Sequence, residues 1–483
     1  MLFNKKELTR PIIGFFCNKV YTLNNLGEIY MKKLLGIATA LLIATGVFAQ
    51  DAKKGPDFTY GARAWVYGVT AGQDEYKADY SHFRIRPMLS LAMEDIKLVT
   101  HLEISQYFGR ATDAVGYAAP STDNYAVKVK GAYLEAKNVF MPGLSLMGGL
   151  NGYKYPFVVD NDLAMAQVAF DFVMGKANIN YFKINEYDRY EKKADGTKQD
   201  MDAQAYMLDV PIKVDNDITV RPAVMLIQGG KTAYDSGGGT YPMSDARNYL
   251  YKTSLINAAL NAVGKVDMIG FTVTGAYLTG TLYKDPDPTG TEEKTKTSAF
   301  AFDLGVDVKP NSMFKVGAFF TYLSGDDGKK PGEENNNYYA TMESIFGKPG
   351  SHDGLGYGRL FILDGGSVLQ VGGNYADYYA IEHAQGYMAY GINCEAYLDQ
   401  LTIFAQFGMA STAEKAANWK GEEKTSIGAE IDFKVSYALA SKTSLFAEFA
   451  YVLAGDIQFN AQGDTSNDPE NMYQVAVGIA AQL

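Results

Sequence analysis

The residues in this chain best able to do covalent or metal chemistry are four histidines and a late cysteine, and their spacing supports little of it. His82, His101, His352 and His383 lack metal-ligand spacing, and Cys394 has no CxxC partner. There is no nucleophile elbow and no phosphate-binding glycine loop. The acidic stretches SGDDG at 324–328, DPDPTG at 285–290 and GDTSNDPEN at 463–471 could offer oxygens to calcium. None matches the twelve-residue calcium loop, and they read as solvated loops. No enzyme activity, cofactor or metal site is therefore expected. The charged residues point to a different kind of chemistry, the shaping of an electric field.

Residues 83–104, FRIRPMLSLAMEDIKLVTHLEI, show how they are placed. Phe83, Ile85, Leu89 and Leu91 share one parity and Arg84, Arg86 and Ser90 the other. After Glu94-Asp95, Ile96, Leu98, Leu102 and Ile104 alternate with Lys97, His101 and Glu103. Side chains of a strand alternate faces, so this is a hairpin with one apolar and one charged side. Slipping its register by one residue would turn Arg84 and Arg86 toward the apolar side, at roughly 2–4 kcal/mol each if that side meets lipid.

Alternating segments of this kind recur to the last residue, and they number about eighteen, between sixteen and twenty. AYMLDVPIKV at 205–214 and ITVRPAVMLI at 218–227 are two of them. Their connections alternate between short and long. Short joints fall near 94–95, 138–143, 174–175, 215–217, 264–267, 309–312, 399–400 and 437–441. Long connections fall near 69–79, 109–124, 154–162, 187–202, 229–248, 280–296, 324–384, 411–423 and 454–471. Short turns at one end and wide loops at the other predict an all-β fold, a transmembrane antiparallel up-and-down β-barrel. Aromatic pairs near strand ends, among them Tyr107-Phe108, Phe319-Phe320 and Tyr387 with Tyr390, suit interfacial girdles. Pro87 and Pro222 fall mid-strand and predict local bulges.

The chain ends agree with this. MKKLLGIATALLIATGVFAQ at 31–50 has the charged start, apolar stretch and small-residue site of a secretory signal peptide cut after Ala49. Residues 1–30 then read as an upstream mis-called start, and 50–483 as a single barrel carrying the long loop 324–384. The mature chain would hold 38 Lys+Arg against 53 Asp+Glu, a net charge of −15, which argues against a nucleic-acid partner. The first strand starts close to the mature end, leaving no room for the plug of an active transporter. The last strand carries Tyr473, Val475, Val477 and Ile479 on one parity, as a barrel-closing strand should.

By parity the bore is charge-segregated. Early strands would line it with Arg63, Arg84, Arg86, Lys97, His101, Lys128 and Lys130, with Glu103 among them. Later strands would contribute Arg221, Asp303, Glu395, Glu430, Asp432 and Glu448, relieved by Lys315 and Lys434. Such a wall orients charged solutes, or alternatively forms ion-pair ladders that stiffen it. Within 324–384, RLFILDGGSVLQV at 359–371 predicts a short hairpin around Asp364-Gly365-Gly366 that caps the mouth or folds inward.

FRIRP at 83–87, GAYLEAK at 131–137 and FFTYLSGDDG at 319–328 resemble bacterial outer-membrane porins, and more narrowly the alginate-export family of eighteen-stranded barrels. The resemblance implies passive movement of an anionic sugar polymer or carboxylate past Arg84, Arg86 and Lys128. The chain differs from the family in GLNGYKYP at 149–156, which lacks an arginine, and in ending at Leu483 where Phe is usual. The expected partners are outer-membrane lipid, small hydrophilic solutes and, through the final strand, the barrel-assembly machinery. The alternative expectation is a structural or adhesive surface protein without transport.

Overall fold

The computed structural model describes residues 56–73, 76–110, 126–185, 203–229, 250–284, 293–326, 359–363, 385–418, 420–457 and 470–482. The signal segment, the upstream residues 1–30, His352, His383 and most of the long loops lie outside these residues. The wall begins with β1 (Asp57–Gln73), β2 (Tyr76–Met93), β3 (Ile96–Arg110) and β4 (Ala126–Ala136). β5 (Leu144–Tyr155), β6 (Val159–Phe172), β7 (Gly175–Asn185), β8 (Ala203–Asp209) and β9 (Ile212–Asp215) follow. Next come β10 (Ile218–Gly229), β11 (Leu250–Val266), β12 (Ile269–Lys284), β13 (Glu293–Val308) and β14 (Phe314–Leu323). The last are β15 (Tyr387–Leu398), β16 (Leu401–Ala417), β17 (Glu423–Ala440), β18 (Thr443–Ala454) and β19 (Met472–Gln482).

Pairing is antiparallel between neighbours, and β19 returns to β1 from Arg63↔Gln482 to Gln73↔Met472, so the sheet closes on itself. β8 and β9 share one place in the wall, because both lie between β7 and β10. The nineteen strands thus make a closed eighteen-strand barrel. The segment 205–214, expected as one strand, breaks at Val210-Pro211. Pro211 has no N–H to give the ladder, and the break faces Pro222, where the Val210 N–H donates to the Pro222 carbonyl at 3.0 Å. Around Pro87 the β2–β3 pairing skips Arg86 and Pro87, and β4 carries a bulge at Lys130 nearby.

The outer face is the apolar parity of every strand. Ile392, Val477, Ile179 and Leu98 stand exposed there, and the unpaired Cys394 shares that face. Aromatic residues flank this band: Phe172, Phe314 and Tyr437 near the short turns, Tyr206 and Tyr390 toward the other end. Phe319 and Tyr387, expected in the girdle, instead point inward and are buried. The short joints fall where expected, and several open on a left-handed residue, Glu94, Asp267 or Asp399. Three connections expected to be long are not. β1 and β2 leave only residues 74–75 between them, β16 and β17 extend until residues 418–422 join them, and β5 passes to β6 through residues 156–158. Polar composition at these places belongs to strand ends, where alternation is blurred by residues that have left the apolar band.

Candidate functional site in the barrel interior

The basic arc is built by β1 to β4. Arg63, Arg84, Arg86, Lys97, His101, Lys128 and Lys130 lie on strand positions facing the interior, as does Glu103. Arg86 holds Glu103 at 2.6 Å, and Arg84 stands 3.8 Å from the same carboxylate, so two guanidiniums share one buried acid. The Arg84 Nε is itself buried without a hydrogen-bond partner. Lys128 sits opposite Glu103 in register, is exposed, and has no ion pair among the described residues. Beneath Arg86 lies the Trp65 ring, 5.4 Å from the guanidinium carbon. His82 is bonded to the Tyr67 hydroxyl at 2.5 Å and buried in the wall.

Facing this arc is an element the sequence did not announce. The end of the β5–β6 hairpin leaves the wall and folds inward. Its odd-numbered residues Tyr153, Tyr155, Leu163 and Met165, with turn residues Phe157 and Val158, join a buried apolar cluster with Phe182, Met207, Met225, Ile227 and Leu255. Arg221 and Asp209 fasten it. The guanidinium donates to Asp209 at 2.6 and 2.8 Å, lies 4.6 Å from the Tyr155 ring centre, and donates to the Lys154 carbonyl at 3.1 Å. Tyr153 donates to Asp209 at 2.5 Å, and the Tyr155 hydroxyl donates to the Arg221 carbonyl. Arg221 therefore acts as a structural clamp. The hairpin's other face, with Lys154, Asp160 and Asp162, turns back toward the basic arc, where Lys130 pairs with Asp162. Between the two faces lies a cavity of about 480 Å³, lined by Arg86, His101, Lys130, Tyr133, Tyr153 and Asp162 among others.

The late-strand acids also face inward, but not onto open water. Asp303, Glu430 and Asp432 are each 0% exposed, and Glu448 is nearly so. The long loop covers three of them. Arg359 reaches Asp303 at 2.5 Å, and Thr321 donates to the same carboxylate at 2.7 Å. The backbone N–H groups of Ile362 and Leu363 donate to Glu430 at 2.6 and 2.8 Å, and that of Phe361 to Asp432 at 3.3 Å. Gln406 joins the Arg359 carbonyl to Asp432, at 2.5 and 2.9 Å. These acids stand near mid-strand, so residues 359–363 reach the middle of the barrel. They form a bend and turn there, not the first arm of a hairpin, and Leu360 and Leu363 are fully buried. Glu395 pairs with Lys315, and Glu448 with Lys434 at 2.6 Å, in cross-strand ladders.

A closed barrel with an apolar exterior, a charged interior and two inward-folded segments is a transmembrane β-barrel of the outer-membrane type. No protein-family model matches the sequence, and a search of curated proteins finds no match. Among solved structures the chain is similar to the crystal structure of Pseudomonas aeruginosa OccK8 (OprE), with TM-score 0.52 and 10% identity over 88% of this chain and 98% of that one. It is similarly related to Acinetobacter baumannii OccAB1, with TM-score 0.51 and 10% identity over 88% of this chain and 97% of that one. Likeness at this identity establishes a shared fold.

Proposed function

We propose that this protein is an outer-membrane channel through which small hydrophilic solutes, anionic or sugar-like, diffuse passively along the basic arc. The observation that carries the reading is the asymmetry of the bore. Arg63 and Lys128 are open to solvent and Arg84 and Arg86 partly so, with a cavity beside them. Of the carboxylates on the later strands, Asp303, Glu430 and Asp432 are buried under residues 359–363. A solute in the passage therefore meets uncovered positive charge and covered negative charge, which favours anions at a narrow point. The barrel shared with OccK8 (OprE) and OccAB1 supports the architecture this needs. If the alginate-export resemblance extends to the solute, it is a carboxylate-bearing sugar, and Arg84, Arg86 and Lys128 stand where such a group would pass. The apolar parity of β19, with Val475, Val477 and Ile479, supplies the strand that assembly machinery would engage.

Single-channel recording in planar bilayers tests this. Stepwise conductance with a reversal potential favouring anions in a salt gradient is expected, and the preference should reverse in the Arg84→Glu/Arg86→Glu variant. A barrel that conducts nothing would return the protein to the structural or adhesive class.

A further inference from the structure

Above Leu150 the barrel wall carries a seam. β4 pairs with β5 only from Ala132↔Leu150 to Ala136↔Leu146, so residues 126–131 of β4 face β5 without a strand partner among the described residues. The outer surface at this height is apolar. Val127 and Val129 are 63% and 51% exposed, and their register partners on β3 are Ile104 and Leu102. This stretch, with no described partner on its β5 side, therefore stands at the level of lipid chains. Unpaired backbone is tolerated there only where it is buried in protein or lines a watery cavity. The β5–β6 hairpin cannot swing out to close the seam, because Lys154, Asp160 and Asp162 occupy the parity that would then meet lipid.

The cavity begins directly behind this stretch, with Lys130 and Gly131 in its lining. Its charged lining carries Arg86, Lys130 and Lys154 beside Asp160 and Asp162, so both signs are present within one small space. The ring of Tyr133 adds a face that attracts a quaternary ammonium. We propose that the seam is a lateral portal, and that the cavity takes the zwitterionic headgroup of a single-chain amphiphile whose acyl chain lies against Val127 and Val129. This goes beyond the channel reading and requires only that the barrel sit in a bilayer.

Trp65 reports on the site through its contact with Arg86. Trp419→Phe leaves it the sole tryptophan of the chain. In bilayer nanodiscs, a single-chain phosphocholine amphiphile with a nitroxide beside its headgroup should quench Trp65 several-fold more than a two-chain phosphocholine lipid with the same label. The excess should vanish in Lys130→Ala/Asp162→Ala, and also in Gly131→Phe, which fills the seam while leaving the charges in place. Heat-modifiable gel migration identifies which variants remain folded barrels. Equal quenching by the two lipids, or an excess that survives in a folded variant, overturns the portal. So does equal quenching by a chainless nitroxide-labelled phosphocholine, which would enter through the mouth. A protein that conducts without this quenching loses the portal alone, and one that quenches without conducting loses the channel reading alone.

Discussion

Asp303 anchors the inward segment of the long loop to the wall. Its carboxylate accepts from Arg359 and Thr321 and is sealed from water, so the pair is held by geometry rather than by solvent. Losing the charge from such a charge-assisted pair costs about 1.5–3 kcal/mol, while Arg359, 23% exposed, keeps contact with water. Asp303→Asn should therefore loosen residues 359–363 from the wall and raise unit conductance in planar bilayers. Unchanged or smaller steps would mean that the segment does not narrow the passage. Glu430→Gln should act in the same direction but more weakly, since its partners Ile362 and Leu363 are uncharged backbone N–H groups and only the charge-assisted share, about 1 kcal/mol, is lost. Parity alone placed these acids on the interior face. It could not show that a segment 67–68 residues from Glu430 would not merely approach the bore but cover Asp303, Glu430 and Asp432, because burial inside a barrel depends on tertiary folding of a loop. The basic arc was more legible, since Arg84, Arg86, Lys97, His101 and Glu103 alternate within one continuous hairpin.

At the scale of elements, the inward hairpin is the largest departure from what the alternating pattern suggests. KYPFVVDNDL looks like a polar connection, yet Phe157, Val158 and Val159 are buried. A signal was present in the pattern: Tyr153 and Tyr155 alternate with Lys154, and Leu163 with Asp162, so this hairpin has an apolar face but a charged face where lipid should be. Such a pair of strands has to leave the wall. The departure begins at Gly149, whose φ of 137° is open to glycine and poorly accessible to other residues. There an added Cβ would collide with the Ala132 carbonyl and Tyr133. Gly149→Ala should destabilise the barrel by about 1–3 kcal/mol, the usual cost of a strained backbone position. The measurement is the temperature at which the compact gel form converts to the unfolded one. A variant as heat-resistant as the parent would show that the bend does not depend on glycine.

Over the whole molecule, apolar and charged side chains are divided between two faces of the same eighteen strand positions. Where lipid is the solvent, every backbone group must find its partner within the wall, and closure through β1 and β19 achieves this around nearly all of the circumference. The outward side chains then need only be apolar, which is why strand type and the alternation of turns and loops could be read from sequence, and why loop placement could not. This division predicts opposite tolerances on the two faces. Val477→Arg, on the outer face of β19 at 61% exposure, should cost about 2–4 kcal/mol, the range for a cation near the bilayer midplane. Lys128→Gln, on the interior side of β4, should leave unfolding in urea within about 0.5 kcal/mol of the parent while weakening the preference for anions. Equal destabilisation by the two substitutions would show that no lipid–water division runs through the wall.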